Sequence, residues 1–271
     1  MGSNDAPPPH VPVYYLPVSN GLLQAGGVLW TIAYILFVRS SFRTRSYGMP
    51  ILALAFNFAW EIVFALYVAE SPLERSIFTI WMILDLGLVY CVVVYGQHEW
   101  AHSPAIARNL GKIFTLLTAG ALAGHWTFAK WWIDNDIGKR EGKFYMGRMG
   151  PDTTELGYWT VAFCQSYLSA ASLAQLVVRG HSGGVGWGIW ATRTLGSLLG
   201  FVVNYAWCWY YWREAHEYFM SPFSVFLIGV GLMADLLYPF VLLRIRKTET
   251  VSSDGRRIRG DDLVEAKRKR G

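Results

Sequence analysis

The stretch LALAFNFAWEIVFALYVA, residues 52–69, decides the fold class, because it is apolar throughout except for Asn57 and Glu61. An α-helix needs about 20 consecutive apolar residues to cross the hydrocarbon core of a bilayer. The run is continuous, whereas strands of a membrane barrel alternate apolar and polar residues. We therefore expect a transmembrane helix with a carboxyl group near its centre, where an ionised carboxylate is costly.

The rest of the chain extends this pattern. Of its 271 residues, 53% are hydrophobic and 16% are charged, against roughly 25% charged in ordinary soluble domains. The apolar segments lie at about 22–39, 49–69, 77–96, 113–129, 156–178, 187–212 and 222–243. The sequence thus predicts an all-α membrane protein, a bundle of seven transmembrane helices with no room for a second sizeable domain.

Three parts follow from this division: a Pro-rich N-terminal arm (1–21), the seven-helix domain (22–243) and a basic tail (244–271). The loops on the side of the tail, together with Arg39 and the tail itself, hold sixteen Lys and Arg, and those on the other side hold seven. Positive charge accumulates on the cytosolic side of membrane proteins. We therefore expect a lumenal N-terminus and a cytosolic C-terminus. The tail favours contact with membrane lipid over nucleic acid, since no folded basic module is visible.

Four charged residues lie in the interior of the apolar segments: Glu61, Asp85, Arg193 and Asp235. Ionisable groups inside a membrane are rare, and they are usually functional or paired with one another. Asn57 precedes Glu61 by four residues, so the two share a helix face. A purely structural alternative is an ion pair that joins helices, between Arg193 and either Asp85 or Asp235.

The seventh segment carries Asp235 and Tyr238 three residues apart on one face, followed by Pro239. Proline lacks an N–H, so it leaves the carbonyl of Asp235 without its helical donor. Counted along the helices, Glu61 and Asp235 each lie roughly 12–20 Å from a helix end, and both could line one chamber. A desolvated carboxyl can stay protonated at neutral pH and donate its proton. The alternative is a proton-coupled transporter or receptor with seven helices.

Aromatic residues make up 16% of the chain, and many lie in the middle of a segment. Aromatic faces attract cations, so a chamber with a buried acid and aromatic walls suits carbocation chemistry. Trp60, Trp81 and Tyr238 are the candidate wall residues. The alternative is that these rings only fill space between helices.

Two other functions have partial support in the sequence. The stretch HEWAH, 98–102, matches the H-E-x-x-H pattern in which two histidines bind zinc, and a membrane zinc hydrolase is the third hypothesis. We find no convincing third ligand, and Pro104 follows at once. A retinal-binding protein needs a Schiff-base lysine in its last helix, and the seventh segment has none.

Three stretches together resemble a known family: FNFAWEIVF (56–64), RGHSGGVGWGIWATRTLGSLLG (179–200) and MADLLYP (233–239). They are similar to the small integral-membrane terpene cyclases of fungal meroterpenoid and indole-diterpene pathways, the family of the pyripyropene and paxilline cyclases. The resemblance covers about 20–245 and leaves the arm and the tail outside.

The resemblance implies a seven-helix enzyme without metal or cofactor that cyclises a polyprenyl chain carried on an aromatic or polyketide group. The acids of the family lie in its Trp-Glu and Asp-Leu-Leu-Tyr-Pro motifs, which here give Glu61 and Asp235 as catalytic residues. Asn57, Asp85 and Arg193 are then expected to hold these acids or to bind the substrate oxygen.

The resemblance also implies partners and a place in the cell. An upstream prenyltransferase and a flavin monooxygenase would make a hydrophobic, prenylated and usually epoxidised substrate, although some relatives protonate an alkene instead. The expected location is the membrane of the endoplasmic reticulum.

Overall fold

The computed structural model describes residue 2 and residues 4–260, and most of this part of the chain is helical. The helices are α1 (Tyr15–Thr44), α2 (Ile51–Val63), α3 (Pro72–Glu99), α4 (Pro104–Ala107), α5 (Leu110–Asp134), α6 (Thr153–Arg179), α7 (Trp187–Ser197), α8 (Asn204–Tyr211) and α9 (Pro222–Thr248). A π-helical segment, Phe64–Val68, continues α2, and another, Leu198–Val203, joins α7 to α8. Two 3-10 turns, Arg213–Ala215 and Glu217–Met220, precede α9. Two short antiparallel hairpins pair β1 (Phe144–Tyr145) with β2 (Arg148–Met149) and β3 (Glu249–Val251) with β4 (Arg257–Arg259).

Each of the seven apolar segments of the sequence is helical. Within the described residues, five helices are long and apolar enough to cross a membrane: α1, α2 with its π-helical continuation, α3, α6 and α9. The fourth segment (α5) and the sixth (α7 to α8) are not among the five. Glycine, threonine, histidine and tryptophan dilute the apolar character of α5, and Arg193, Asn204 and several glycine, serine and threonine residues dilute that of the sixth segment. The protein is thus an all-α membrane protein.

Capping residues set where three of the long helices begin. The side chains of Ser71, Asp152 and Ser221 accept a hydrogen bond from the backbone N–H three residues later, at the start of α3, α6 and α9. Such caps satisfy N–H groups that have no partner inside the helix. Pro72 and Pro222 occupy the first helical position, where no N–H is needed.

Close approach of backbones holds α1 against the α7–α8 region. A Cβ added at Gly26 would lie 2.6 Å from the Cα of Gly200, which belongs to the π-helical segment. A Cβ at Gly200 would in turn lie 3.1 Å from the Cα of Gly26, a tight contact. Small residues at such positions are common where membrane helices pack closely. The contact places the middle of α1 next to α7, and α3 packs on α1 as well. The middle of α1 therefore lies between two groups of polar side chains.

The N-terminal arm is shorter than the predicted range 1–21, because α1 begins at Tyr15. The arm folds over the loop between α5 and α6. The Asp5 carboxylate accepts a hydrogen bond from Lys143 Nζ at 2.8 Å, and the Ala6 N–H donates to the Gly142 carbonyl at 2.8 Å. Lys143 is completely buried and also pairs with Asp152, whose Oδ2 lies 3.2 Å away.

Burial shapes the ionisation of this ion cluster. It raises the pKa of Asp5, although Lys143 opposes that shift. It also acts to lower the pKa of Lys143, but the two neighbouring carboxylates outweigh burial and raise it. The lysine is therefore held as a cation between two acids.

The predicted basic tail, 244–271, begins inside α9, which continues to Thr248. Its next residues form the β3–β4 hairpin. The Glu249 carboxylate accepts hydrogen bonds from the backbone N–H and the hydroxyl of Ser182, at 2.6 and 3.0 Å, and this ties the hairpin to the loop before α7. Residues 261–271 of the predicted tail lie outside the described part of the chain.

Candidate active site

The first polar cluster surrounds Glu61 in α2. Glu61 Oε1 accepts a hydrogen bond from the Tyr34 hydroxyl of α1 at 2.5 Å and from Asn57 Nδ2 at 3.0 Å. Asn57 Nδ2 also lies 3.3 Å from Asp85 Oδ2 of α3 and contacts the Tyr34 hydroxyl. Glu61 and Asp85 are both 0% exposed. Three helices thus bring two carboxyl groups together around one amide.

One oxygen of each carboxyl has no hydrogen-bond partner among the described residues: Glu61 Oε2 and Asp85 Oδ1. Buried polar atoms in folded proteins are nearly always hydrogen-bonded, so such an exception calls for a functional explanation. These two oxygens are where the cluster can still bind or transfer a proton.

The second polar cluster surrounds Asp235 in α9. Its carboxylate pairs with the Arg193 guanidinium of α7, and the Arg193 side chain is 2% exposed. Arg193 Nη1 also donates to the Ser169 hydroxyl of α6 at 3.3 Å, and its guanidinium lies 5.9 Å from the centre of the Tyr238 ring. Of the two ion pairs that the sequence allowed for Arg193, the one with Asp235 is formed.

Pro239 leaves the backbone carbonyl of Asp235 without its helical donor, and a side chain of α7 replaces that donor. Trp190 Nε1 donates to the backbone carbonyl of Asp235 at 2.9 Å. This bond fixes the backbone of Asp235 against α7 independently of its side chain. The proline that was expected to free this carbonyl therefore helps to position the residue.

A narrow crevice of about 20 Å³ between α6, α7 with its π-helical continuation and α9 includes Asp235 in its lining and is partly open to the outside. Its polar wall consists of Gln165, Ser166, Ser169, Thr194 and Ser197, and its apolar wall includes Phe201, Leu227, Ile228 and Leu232. Glu61 does not line this crevice. Asp235 thus faces a space with one polar and one apolar side.

Side chains of α1 connect the two clusters. Trp30 Nε1 donates to the Ser197 hydroxyl at 3.1 Å, and that hydroxyl donates to the Arg193 carbonyl at 3.0 Å. The Trp30 ring lies 5.8 Å from the Tyr34 ring, whose hydroxyl contacts Glu61. Between Glu61 and Asp235 the described residues form no direct hydrogen bond. The two acids are linked through α1.

The candidate wall residues occupy different places. Trp81 packs on Tyr34, with ring centres 5.9 Å apart, and donates to the Thr31 hydroxyl at 2.9 Å, so it belongs to the first cluster. Trp60 stacks on Phe64 instead and donates to Thr160 at 2.9 Å. Tyr238 lies beside the second cluster.

The sequence did not single out Tyr34 or Trp30. Both lie in the middle of the first apolar segment and four residues apart, so they share a face of α1. A tyrosine deep in an apolar helix needs a partner for its hydroxyl, which was the available signal. What the sequence alone could not show is which helix supplies that partner.

The HEWAH stretch does not form the helical zinc motif. α3 ends at Glu99, so His98 and His102 lie in different local structure. Glu99 accepts a hydrogen bond from the Ser46 hydroxyl at 2.5 Å and lies 3.0 Å from His181 Nε2. In the described residues, no group of three or more His, Cys, Asp or Glu could hold a metal ion.

The family model of the Pyr4-like transmembrane terpene cyclases matches residues 3–248. The chain belongs to this family. It is therefore a transmembrane terpene cyclase, an enzyme that forms rings in terpene chains, and an integral membrane protein. The resemblance found in the sequence is confirmed, but its extent was wrong: the match includes nearly all of the N-terminal arm.

Three curated relatives of this cyclase show how far the similarity reaches. Terpene cyclase ascF of Acremonium egyptiacum is 48% identical over 252 residues, which are 93% of this chain and 90% of ascF. The Pyr4-family terpene cyclase mfmH of Annulohypoxylon moriforme is 38% identical, covering 88% and 90% of the two chains. Terpene cyclase paxB of Penicillium paxilli is 32% identical, covering 91% and 93%. No solved structure matches the chain.

Proposed function

We propose that this cyclase starts its reaction by acid catalysis on a polyprenyl chain attached to a meroterpenoid or indole-diterpene precursor, in fungal secondary metabolism. The observation that carries the proposal is a pair of buried carboxyl sites on opposite sides of α1: Glu61 with Tyr34 and Asn57, and Asp235 with Arg193. Two carboxyls in different surroundings can take the roles of acid and base, and protonation of an uncharged substrate requires such an acid.

In this mechanism a carboxylic acid gives its proton to the oxygen of a terminal epoxide, or to an alkene carbon. The C–O bond opens, the alkenes attack in sequence, and the last cation loses a proton to a base. The product is an isomer of the substrate. Glu61 and Asp235 are the two groups proposed for acid and base.

The surroundings would protect the cation. Aromatic faces stabilise positive charge, and Trp81 and Tyr238 lie next to the two acid sites. A bundle in lipid also excludes water, which would otherwise trap the intermediate. The crevice at Asp235 has one apolar and one polar wall, and it must widen before a prenyl chain with its oxygen-bearing group can enter.

We further propose that all seven apolar segments cross the membrane, with a lumenal N-terminus and a cytosolic C-terminus, in the endoplasmic reticulum. A prenyltransferase and a flavin monooxygenase would supply the substrate. No metal or cofactor takes part in this mechanism, so activity should resist chelators and added magnesium. Membership of the cyclase family favours this function over a proton-coupled transporter or receptor and over a zinc hydrolase.

A conversion assay tests the proposal. Yeast microsomes containing the full chain would receive an epoxidised farnesyl- or geranylgeranyl-arene, and the products would be searched for isomers of equal mass. Glu61→Gln and Asp235→Asn should each lose at least 100-fold in activity, the scale of a general acid or base. The matched control is Asp134→Asn, an exposed acid paired with Lys130, which should keep full activity.

Two outcomes would contradict the proposal. Cyclisation by both variants at the wild-type rate would mean that the carboxyls are structural. Absence of turnover by the wild-type protein on epoxidised and unepoxidised substrates, with correct membrane insertion, would contradict the substrate class.

A further inference from the structure

Glu61 and Asp85 face each other across the amide of Asn57. The amide nitrogen lies 3.0 Å from Glu61 Oε1 and 3.3 Å from Asp85 Oδ2. Each carboxyl keeps one buried oxygen without a partner. The arrangement therefore has four carboxyl oxygens and few protons to satisfy them.

The protons that the surrounding helices supply can be counted. α1 contributes the hydroxyl of Tyr34, and α2 contributes the two amide hydrogens of Asn57. From α6, the Cys164 thiol is near enough to interact electrostatically with Glu61. From α5, His125 faces that thiol, with Nε2 at 3.8 Å from the sulfur. None of the hydrogen bonds that the described residues make to the two carboxyls comes from a lysine or arginine.

Two ionised carboxylates without a cation are strongly disfavoured in a site shielded from water. Neighbouring carboxyls in this situation retain a proton, as in the aspartic-protease dyad. At least one proton must therefore stay between Glu61 and Asp85. This conclusion follows from geometry and burial alone.

The second cluster has the opposite electrostatics. Asp235 pairs with the guanidinium of Arg193, which is a permanent cation. A carboxylate held in this way is stable without a proton. Asp235 is thus suited to stabilise positive charge or to accept a proton, and it is poorly suited to donate one.

We propose that Glu61 and Asp85 form a proton-sharing carboxyl pair that supplies the initiating proton, with Tyr34 and Asn57 as positioning residues, while Asp235 stays a carboxylate on Arg193. The inference rests on the proposed function and divides the roles of its two acids. It makes Asp85 a positioning residue that keeps the proton on Glu61.

The O–H bond of Glu61 breaks, its electron pair stays on the carboxylate, and the proton bonds to the substrate oxygen or alkene carbon. The Tyr34 hydroxyl and the Asn57 amide stabilise the carboxylate that is left. At the end a C–H bond of the last cation breaks, its electrons form the product alkene, and the proton returns to the pair.

Infrared spectroscopy tests the pair without any substrate. A protonated carboxyl has a C=O stretch that is separate from the carboxylate bands and shifts in heavy water. The full-length protein in lipid should show this band. Glu61→Gln should abolish it or replace it with a band at a new frequency, because Asp85 is then the one carboxyl left in the pair, and Asp85→Asn should move it. Asp235→Asn should leave it unchanged. A band that is unchanged in Glu61→Gln, or one that disappears in Asp235→Asn, would overturn the proposal.

Isotope labelling keeps the test decisive if a variant does not fold. Wild-type protein with ¹³C only in its glutamate carboxyls should show the protonated band displaced. An undisplaced band would mean that no glutamate holds the proton, and the proposal would fail.

Activity gives a second readout. Removing the negative neighbour should let Glu61 lose its proton more readily, so the alkaline fall in kcat of Asp85→Asn should begin at least one pH unit lower. Tyr34→Phe should lower kcat at least 10-fold with little change in KM. A wild-type pH profile in Asp85→Asn would contradict the role of Asp85. The infrared test needs no substrate, so it applies even if the wild type cyclises none of the substrates tried. Failure of the proton-sharing pair is therefore distinguishable from failure of the proposed function.

Discussion

At the scale of single residues, the buried carboxyls of Glu61 and Asp235 have opposite electrostatic surroundings. Glu61 is surrounded by neutral donors, whereas Asp235 has a cation. Breaking a buried ion pair by removing one partner is expensive, because the other charge is left uncompensated. Arg193 should therefore matter to stability as well as to activity.

Arg193→Gln should lower the free energy of unfolding by about 3–5 kcal/mol, since Asp235 then keeps its charge without a partner. The double variant Arg193→Gln, Asp235→Asn should regain a large part of this loss but remain inactive. Thermal unfolding in detergent measures both. Two single losses that simply add in the double variant would argue against a coupled pair.

His216 gives a prediction about pH. It is 1% exposed, and burial lowers its pKa well below the usual value, helped by the charges of Lys143 and Arg140. The folded protein keeps this histidine neutral, whereas the unfolded chain takes up a proton below pH ~6.5. Stability should be complete above that pH and fall on acidification by up to about 1.4 kcal/mol per pH unit.

Unfolding of the wild type and of His216→Gln between pH 7 and 5 checks this. The variant can still donate a hydrogen bond to the Trp212 carbonyl, which lies 2.9 Å from His216 Nδ1 in the wild type. Its stability should depend less on pH, even if it is lower throughout. Equal slopes for the two proteins would contradict the assignment.

At the scale of elements, close packing of α1 on the π-helical segment determines how the two acid sites are spaced. Gly26 and its neighbour Gly27 offer a matched comparison. A Cβ at Gly26 meets the backbone of Gly200, whereas a Cβ at Gly27 has nothing within 4 Å. Alanine normally stabilises a helix relative to glycine by about 1 kcal/mol.

Gly27→Ala should therefore be neutral or stabilising, while Gly26→Ala should destabilise by about 1–3 kcal/mol through overpacking. Gly26→Ala should also lower activity, because it pushes α1 and its Tyr34 away from α7. Unfolding and the conversion assay measure both effects. Equal behaviour of the two variants would show that the contact does not control the spacing.

The sequence predicted most of the helices but few of the contacts between them. Apolar runs and helix periodicity located seven helical segments and put Glu61 and Asp235 deep inside them, because these properties are local. The hydrogen bond from Tyr34 to Glu61 depends on the rotation of α1 against α2, and such relations are set by packing between distant residues. The same holds for Arg193, for which the sequence allowed two partners.

At the scale of the whole molecule, charged residues outside the apolar segments close one end of the bundle. Lys143 lies in the loop between α5 and α6, yet it is buried between Asp5 of the N-terminal arm and Asp152 at the start of α6. The arm is therefore part of the folded enzyme, in agreement with a family match that begins at residue 3.

Lys143→Gln should cost about 3–5 kcal/mol, because two buried carboxylates lose their shared cation. It should also release the arm, which limited proteolysis would detect as new cleavage before α1. Lys139→Gln, which breaks a partly exposed pair with Asp136, should change stability by less than about 1 kcal/mol. Protection of the arm in both variants would show that the ion cluster does not hold it.

The contact between Gly26 and Gly200 has a consequence for how the chain can evolve. Where two side chains touch, a larger residue on one helix can usually be compensated by a smaller one on the other. Here neither partner can become smaller, so no compensating change is available at the contact itself. A lineage that enlarges Gly26 must first change the helix crossing, and one that enlarges Gly200 must at least loosen it. The two glycines are thus expected to change together or not at all. Differences in product should arise from residues outside this helix crossing.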